Sequence, residues 1–486
     1  MIQNLDFLAV GPIVAVTAGV VVLLMVDVTL DLGARAWGWL AGMALAAATV
    51  LAGFQWAAHR GADAEVFFSG MLVVDGFSAL AGLIVFPLTG LGLMAGWRLA
   101  VAQGRRGAEF VVLVLIAAIG AQLMAAAGNL VMLFIGLEVF SISLYILAGF
   151  TRSRVDAEEA ALKYFLLGAF ASAIFLYGAA LVFAATGTTD IYGEGGIAAF
   201  LDGRLIFRPG MLLAGIALLL VGLGFKVSAA PFHVWSPDVY QGSPTGITGF
   251  LAASAKVAGF AAVGRVLVVA LGDRIDDWAP AVAVLAAVSV LIGTVLAIAQ
   301  TDLKRMLAYS SVAHAGFILI ALVAGRGGLG DMWFYVATYA VQVVAAFAVA
   351  GSVSGEAAGA APLDDYAGLG RRSPVLAGTL ALMMLAMGGI PLTAGFAGKV
   401  AVFRAAVDAD YLWLVILALI AAVAGLFFYL RVIVIMYMRS PEEDLESRPG
   451  VAWGTRVVLA VASAVTIVFG IAPWPLLDVV RDALPL

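Results

Sequence analysis

Polar residues are sparse along this chain, and the intervals between them set the first expectation. Apolar runs of about 20 residues, the length a bilayer-crossing helix needs, recur from one end to the other. Fourteen are placed, over residues 7–28, 36–57, 75–97, 110–127, 129–150, 160–186, 210–230, 244–271, 279–299, 307–324, 332–352, 374–405, 412–438 and 453–472. Within each run the apolar residues are continuous rather than alternating, so helices are expected and a barrel is not. The polar stretches 188–209, 355–373 and 441–450 read as connecting loops. The expectation is an all-α integral membrane protein with about 14 transmembrane helices.

Two of the runs carry interruptions. One reads GFKVSAAPFHVWSPDVYQGSPTGITGF, with Lys226 five residues before Pro231. The other reads LAMGGIPLTAGFAGKVAVF, with Gly388, Gly389 and Pro391 upstream of Lys399. Proline inside a helix deletes a backbone hydrogen bond and costs about 3 kcal/mol, and at membrane depth the freed carbonyls must face protein or water. A pair of interrupted helices in corresponding places points to inverted repeats. The chain therefore divides into a three-helix segment (1–109), two inverted five-helix repeats (110–272 and 279–438), each with one discontinuous helix, and a C-terminal helix (439–486).

Composition agrees and excludes much else. Of 486 residues 64% are apolar and 12% charged, against about 45–50% and 25% in a soluble globular domain. Soluble enzymes, nucleic-acid-binding domains and disordered chains are excluded. Cysteine is absent, so no disulfide framework, thiol catalyst or cysteine-held iron–sulfur cluster is expected. No cleavable signal is visible in the first residues. With the N-terminus outside, thirteen basic loop residues face the cytoplasm and seven face the other side. That bias predicts both termini on the periplasmic side of a bacterial inner membrane.

Lysine usage carries the chemistry. Of 26 basic side chains only five are lysines, namely Lys163, Lys226, Lys256, Lys304 and Lys399. Four fall inside apolar runs, and Lys304 lies just before another. Arginine keeps its proton at accessible pH, whereas a buried lysine can lose it. A carboxylate about 4 Å away contributes roughly 4 kcal/mol at an effective dielectric near 20, so an acid that approaches and retreats can load and unload a lysine. Glu138, about ten residues into its run, is the most central acid. Lys163 also fits a snorkelling side chain, with Glu158 or Glu159 in helical reach. Arg265 and Arg431 read as snorkelling or fixed structural charges. His233 and His314 fit either a proton relay or a hydrogen-bonded structural histidine, and His59 reads as a solvated loop residue. No metal-binding or redox-catalytic constellation is present.

The strings EEAALKYFLLGAFASAIFLYG, GFKVSAAPFHVWSPDVYQGSPTGITGF, DLKRMLAYSSVAHAGF and GIPLTAGFAGK resemble the antiporter-like membrane subunits of respiratory complex I. The resemblance covers nearly the whole chain. It implies that Glu138 and Lys226 form the family's glutamate–lysine pair, that Lys256 is the central lysine and that Lys399 is the outlet-side lysine. It places Lys163, His233 and His314 on the hydrophilic axis linking them. A lysine at 399 favours the N- and L-type branches over the M type, and the lack of a long lateral helix after the last run favours the N type. The resemblance further implies proton translocation without redox chemistry in this chain, with flavin mononucleotide, iron–sulfur clusters and quinone in other subunits. K- and M-type neighbours and lipid are the expected partners, without nucleic acid, and the isolated monomer is expected to be inactive. A subunit of a multisubunit sodium/proton antiporter, or a structural spacer, stands as the alternative.

Overall fold

A computed structural model describes residues 7–30, 33–104, 106–151, 154–202, 209–440 and 450–483. The main helices are α1 (Phe7–Leu30), α2 (Ala34–His59), α3 (Gly76–Ala95), α4 (Arg106–Ala125), α5 (Leu130–Ala148), α6 (Val155–Thr186), α7 (Pro209–Lys226) and α8 (Trp235–Gly242). After them come α9 (Thr245–Val263), α10 (Ile275–Ile298), α11 (Leu303–Leu322), α12 (Arg326–Ser354), α13 (Pro374–Gly388), α14 (Ala394–Asp408), α15 (Leu412–Met438), α16 (Trp453–Ile471) and α17 (Trp474–Asp482). Among the described residues thirteen helices are long and apolar enough to span a bilayer. The α13 and α14 helices have 15 residues each and rise only about 22 Å apiece, so neither reaches bilayer length alone. One small hairpin, Glu65–Phe67 against Leu72–Val74, is the only sheet among the described residues.

Several helix starts are fixed by their caps. Asp75 accepts from the Ser78 amide at 2.8 Å, Asn129 from the Met132 amide at 2.7 Å, and Asp302 from the Arg305 amide at 2.9 Å. Each satisfies a backbone donor that a helix N-terminus otherwise orphans. Close approach in the bundle depends on glycine. A side chain at Gly120 would meet the backbone nitrogen of Phe140 at 2.4 Å, and one at Gly293 would meet that of Ala313 at 2.4 Å. The antiparallel pairs α4/α5 and α10/α11 are therefore in near backbone contact, one in each half of the chain.

Burial runs inward from lipid. The Thr245–Ala270 span is enclosed over its whole length, whereas α1 and α16 expose most of theirs. Its far part, Gly264–Ala270, winds as a π-helix, a widening found mostly as short bulges inside α-helices.

At one end of the bundle, here the Arg154 end, the loop after α12 acts as a strap. It receives Gly246 N on Glu356 O at 2.9 Å, Thr245 N on Ala358 O at 3.2 Å and Leu303 N on Ala361 O at 2.8 Å. Leu99 N donates to Glu356 Oε2 at 2.8 Å, and Arg154 donates to Ala357 O. Burial, opposed by that amide bond, pushes the Glu356 carboxyl up to about 7. The strap thus joins α3–α4, α6, α9 and α11. The opposite end, here the Asp75 end, gathers the hairpin, the 187–202 loop and α17.

Candidate functional site

The two breaks fall where proline and glycine predict them, and each exposes carbonyls to a lysine. In the first, α7 stops at Lys226, Ser228 takes a φ of 57°, and the chain resumes helix at Trp235. The freed Phe225 carbonyl accepts from Trp235 Nε1 at 3.0 Å, and Val227 O accepts from Lys256 Nζ, which reaches over from α9. In the second, Gly389 at φ 85° ends α13, and Lys399 from α14 donates to Met387 O at 3.0 Å and Gly388 O at 2.8 Å. The C-terminus of a helix carries a partial negative charge. Each broken half-helix therefore presents an oxygen-lined seat for a cation, and a lysine fills it.

Lys226 behaves differently from the expected pairing. Its ammonium donates to Ser141 Oγ at 2.8 Å and lies 4.4 Å from the Phe140 ring centroid. Glu138, one turn from Ser141 on α5, is within electrostatic reach but forms no ion pair with it at 4 Å among the described residues. Its buried Oε1 has no hydrogen-bond partner there. Acid and lysine are within electrostatic reach without being joined.

Lys304, fully buried, is held by Ser243 O at 2.6 Å, Thr245 Oγ1 at 3.1 Å and Ala358 O at 3.1 Å. Lys226, Lys256, Lys304 and Lys399 are all buried, and none makes an ion pair among the described residues. Lys163 is the exception, with a side chain 42% exposed. It bridges Glu159 at 2.7 Å and Asp238 at 2.8 Å. Asp238 in turn takes Arg305 at 2.7 Å. Of the two acids in reach of Lys163, Glu159 pairs and Glu158 does not. Lys163, Glu159 and Asp238 line an open pocket at the Arg154 end, with Asp156, Gln241 and Gly242.

Between the breaks runs a polar seam. His314 Nδ1 bonds Tyr335 Oη at 2.8 Å, and its Nε2 bonds Tyr429 Oη at 3.0 Å. Tyr429 meets Ser310 Oγ at 2.5 Å. Lys399 lies 4.8 Å from the Phe317 ring centroid, and His233 faces the Tyr309 ring at 6.3 Å. Glu138 Oε1, Tyr164 Oη, Ser243 Oγ and Gln342 Nε2 are buried without a partner among the described residues. Buried polar atoms are seldom left so, and water is the usual partner.

Two readings from the sequence narrow to one of their alternatives, and a third changes. Arg265 does not snorkel: it is fully buried and holds Asp75 bidentately at 2.5 and 2.7 Å, with Ala125 O at 2.8 Å and Tyr192 Oη beside it. Arg431 caps the end of α10 through Ile298 O at 3.0 Å and Gln300 O at 2.5 Å. Both are fixed structural charges. His59 is no loop residue but ends α2, half-buried, on Gln55 O at 2.9 Å and 3.7 Å from Glu65. Sequence reasoning missed Asp238, Asp75, Tyr335 and Tyr429. The WSPDVY string held the only early signal, an acid beside a break. Arg105, Arg152, Arg204, Arg208 and Arg448, which enter the charge count, lie outside the described residues. So does most of the 441–450 loop. No cluster of three or more His, Asp or Glu suited to a metal ion occurs among the described residues.

Residues 127–425 match the family model described as NADH:quinone oxidoreductase/Mrp antiporter, transmembrane. An NADH-quinone oxidoreductase subunit N of Parafrankia sp. (strain EAN1pec) is 42% identical over 455 residues, 88% of this chain and 85% of the relative. That of Trichlorobacter lovleyi is 38% identical over 488 residues, 100% of this chain and 98% of the relative. Among solved structures, a chain of respiratory complex I from Thermus thermophilus with bound aureothin superposes with a TM-score of 0.79. It shares 34% identity and covers 96% of this chain and 98% of its own.

Proposed function

The chain belongs to the NADH:quinone oxidoreductase/Mrp antiporter transmembrane family, and from that premise we propose that it is the proton-translocating N-type membrane subunit of an NADH:quinone oxidoreductase. The observation that carries the reading is the set of buried lysines, Lys226, Lys256, Lys304 and Lys399, each seated on neutral oxygens rather than on acids. A lysine fixed by a carboxylate stays charged. One on a hydroxyl or a carbonyl can be emptied and refilled as neighbouring charges change.

Protons enter at the Arg154 end through the pocket of Lys163, Glu159 and Asp238. They pass Lys226, modulated by Glu138, then Lys256, then the His314 seam to Lys399. His233, Lys304 and Glu158 flank that route. Moving one charge against 100 mV requires about 2.3 kcal/mol, within the roughly 4 kcal/mol by which one acid can bias one lysine. Electron transfer from NADH to quinone takes place in other subunits, which hold the flavin and the iron–sulfur clusters.

The chain works as part of a multisubunit assembly in a bacterial inner membrane, with K- and M-type subunits beside it and the Arg154 end toward the cytoplasm. The helix order supports the two inverted repeats at 110–272 and 279–438. Each contains a glycine-packed pair, a long helix, a broken helix and a closing helix, and five crossings reverse the direction of the second. Curated relatives named for NADH-quinone oxidoreductase favour this assembly over a sodium/proton antiporter.

The test is NADH-driven proton uptake by inverted membrane vesicles carrying Lys226→Ala or Lys226→Arg. Loss of pumping in both, with the complex assembled, is expected. A spacer would tolerate Lys226→Arg, and normal pumping in that variant would refute the reading.

A further inference from the structure

One buried acid in the interior has no role in that route. Asp331 lies in the second turn of α12, at the Asp75 end, with a side chain only 8% exposed. Among the described residues its ion-pair partner is Arg481 of α17, a single contact at 3.2 Å from a side chain 54% exposed. Burying a carboxylate costs several kcal/mol and needs good geometry to offset it. Asp75 shows what such geometry looks like, with two guanidinium nitrogens and the Ser78 amide on its oxygens. Asp331 has far less. An acid left so weakly compensated inside a membrane protein is a candidate proton carrier.

Its position agrees. Asp331 lines a cleft with Arg404, Asp408 and Arg481. Arg404 and Asp408 pair along α14 at 3.8 Å with side chains 79% and 70% exposed, so the cleft is open to solvent. One turn deeper on the same face of α12 is Tyr335, whose hydroxyl meets His314 at 2.8 Å. The Tyr335 ring also packs against Gly398, the neighbour of Lys399. Asp331 thus stands between the inner end of the polar seam and the solvent.

We propose that Asp331 is the outlet carboxylate, taking the proton from the Lys399 region and delivering it to the cleft. This inference rests on the translocation reading above. In the first step an N–H bond of the Lys399 ammonium breaks and an O–H bond forms on Asp331, the proton being relayed through the His314–Tyr335 pair, leaving a neutral amine and a neutral acid. In the second the O–H bond breaks to water, which leaves as hydronium, and the restored carboxylate is again held by Arg481. The charged groups facing Asp331 are Arg481 from α17 and Arg404 and Asp408 from α14, and they set how readily it releases.

The experiment reconstitutes the complete complex in liposomes and measures proton pumping and NADH oxidation across pH for Asp331→Asn, Asp331→Glu, Arg481→Gln and Lys399→Ala, with assembly checked by co-purification. Asp331→Asn is expected to slow coupled pumping about tenfold or more, the scale of a lost positioned proton carrier. Asp331→Glu restores it. Arg481→Gln keeps pumping but moves the acid limb of the profile to higher pH, because a carboxyl without its cation holds the proton longer. Equal losses in Asp331→Asn and Arg481→Gln, with no displaced profile, would mean that the pair only anchors α17 and would overturn the proposal. Normal pumping in Asp331→Asn alongside loss in Lys399→Ala overturns the outlet but keeps translocation. Normal pumping in Lys399→Ala as well removes both.

Discussion

At the scale of single residues, the buried charges divide by what holds them. Asp75 and Arg265 neutralise each other completely inside the protein, whereas the four buried lysines rest on dipoles. The distinction sets opposite expectations. Asp75→Ala leaves a buried guanidinium unpaired and should destabilise the fold by about 3–5 kcal/mol, seen as a lower thermal midpoint and less assembled protein. Replacing both partners by apolar residues, Asp75→Leu with Arg265→Met, should recover most of that loss, because two desolvation penalties vanish together. The lysines themselves were legible in the sequence, since a chain that uses arginine almost everywhere makes five exceptions conspicuous. Their partners were not. Ser141, Val227 O and the Met387 and Gly388 carbonyls are brought by neighbouring helices or by a break, and no local pattern marks them. Asp238 and Asp331 stayed hidden because an acid near the end of an apolar run looks like an ordinary solvated residue.

At the scale of elements, lipid makes spans readable and leaves their ends obscure. Continuous apolar runs predicted all thirteen helices of bilayer length among the described residues, because backbone groups in hydrocarbon must be satisfied within the helix. Yet α6 starts at Val155, five residues before the predicted boundary, since Asp156, Glu158 and Glu159 look polar while suiting the positive end of a helix. Likewise α11 starts at Leu303 and takes in Lys304 and Arg305. The π-helical turn at Gly264–Ala270 leaves no trace in the sequence. The 56 glycines of the chain suit closely packed membrane helices, but a count does not say where the close packing falls. The structure places it at Gly120 and Gly293, where Gly→Ala puts a methyl group 2.4 Å from a backbone nitrogen of the partner helix. Each substitution should cost roughly 1–3 kcal/mol through forced separation of the pair, read as a lower midpoint in detergent. Gly187→Ala is not comparable, since nothing stands near that position and its φ of 80° alone causes strain.

At the scale of the whole molecule, the 355–363 strap is the feature that ties the two halves at one end. Its Glu356 carboxyl keeps its proton up to about 7, well above an unfolded glutamate near 4.3. The folded state therefore binds the proton more tightly. The resulting stabilisation is complete below the unfolded value and is lost as pH rises through about 7. Thermal midpoints measured from about pH 5 to about pH 8 should fall more steeply for the parent chain than for Glu356→Gln, which has no proton to lose; parallel curves would count against that role for Glu356. The seating of Lys256 and Lys399 on main-chain oxygens also reaches beyond either residue. A charged donor binds a carbonyl about twice as strongly as a neutral one, so deprotonating either amine slackens the joint of the interrupted helix that it clasps. The charge on each amine thereby bears on the stiffness of the joint it clasps.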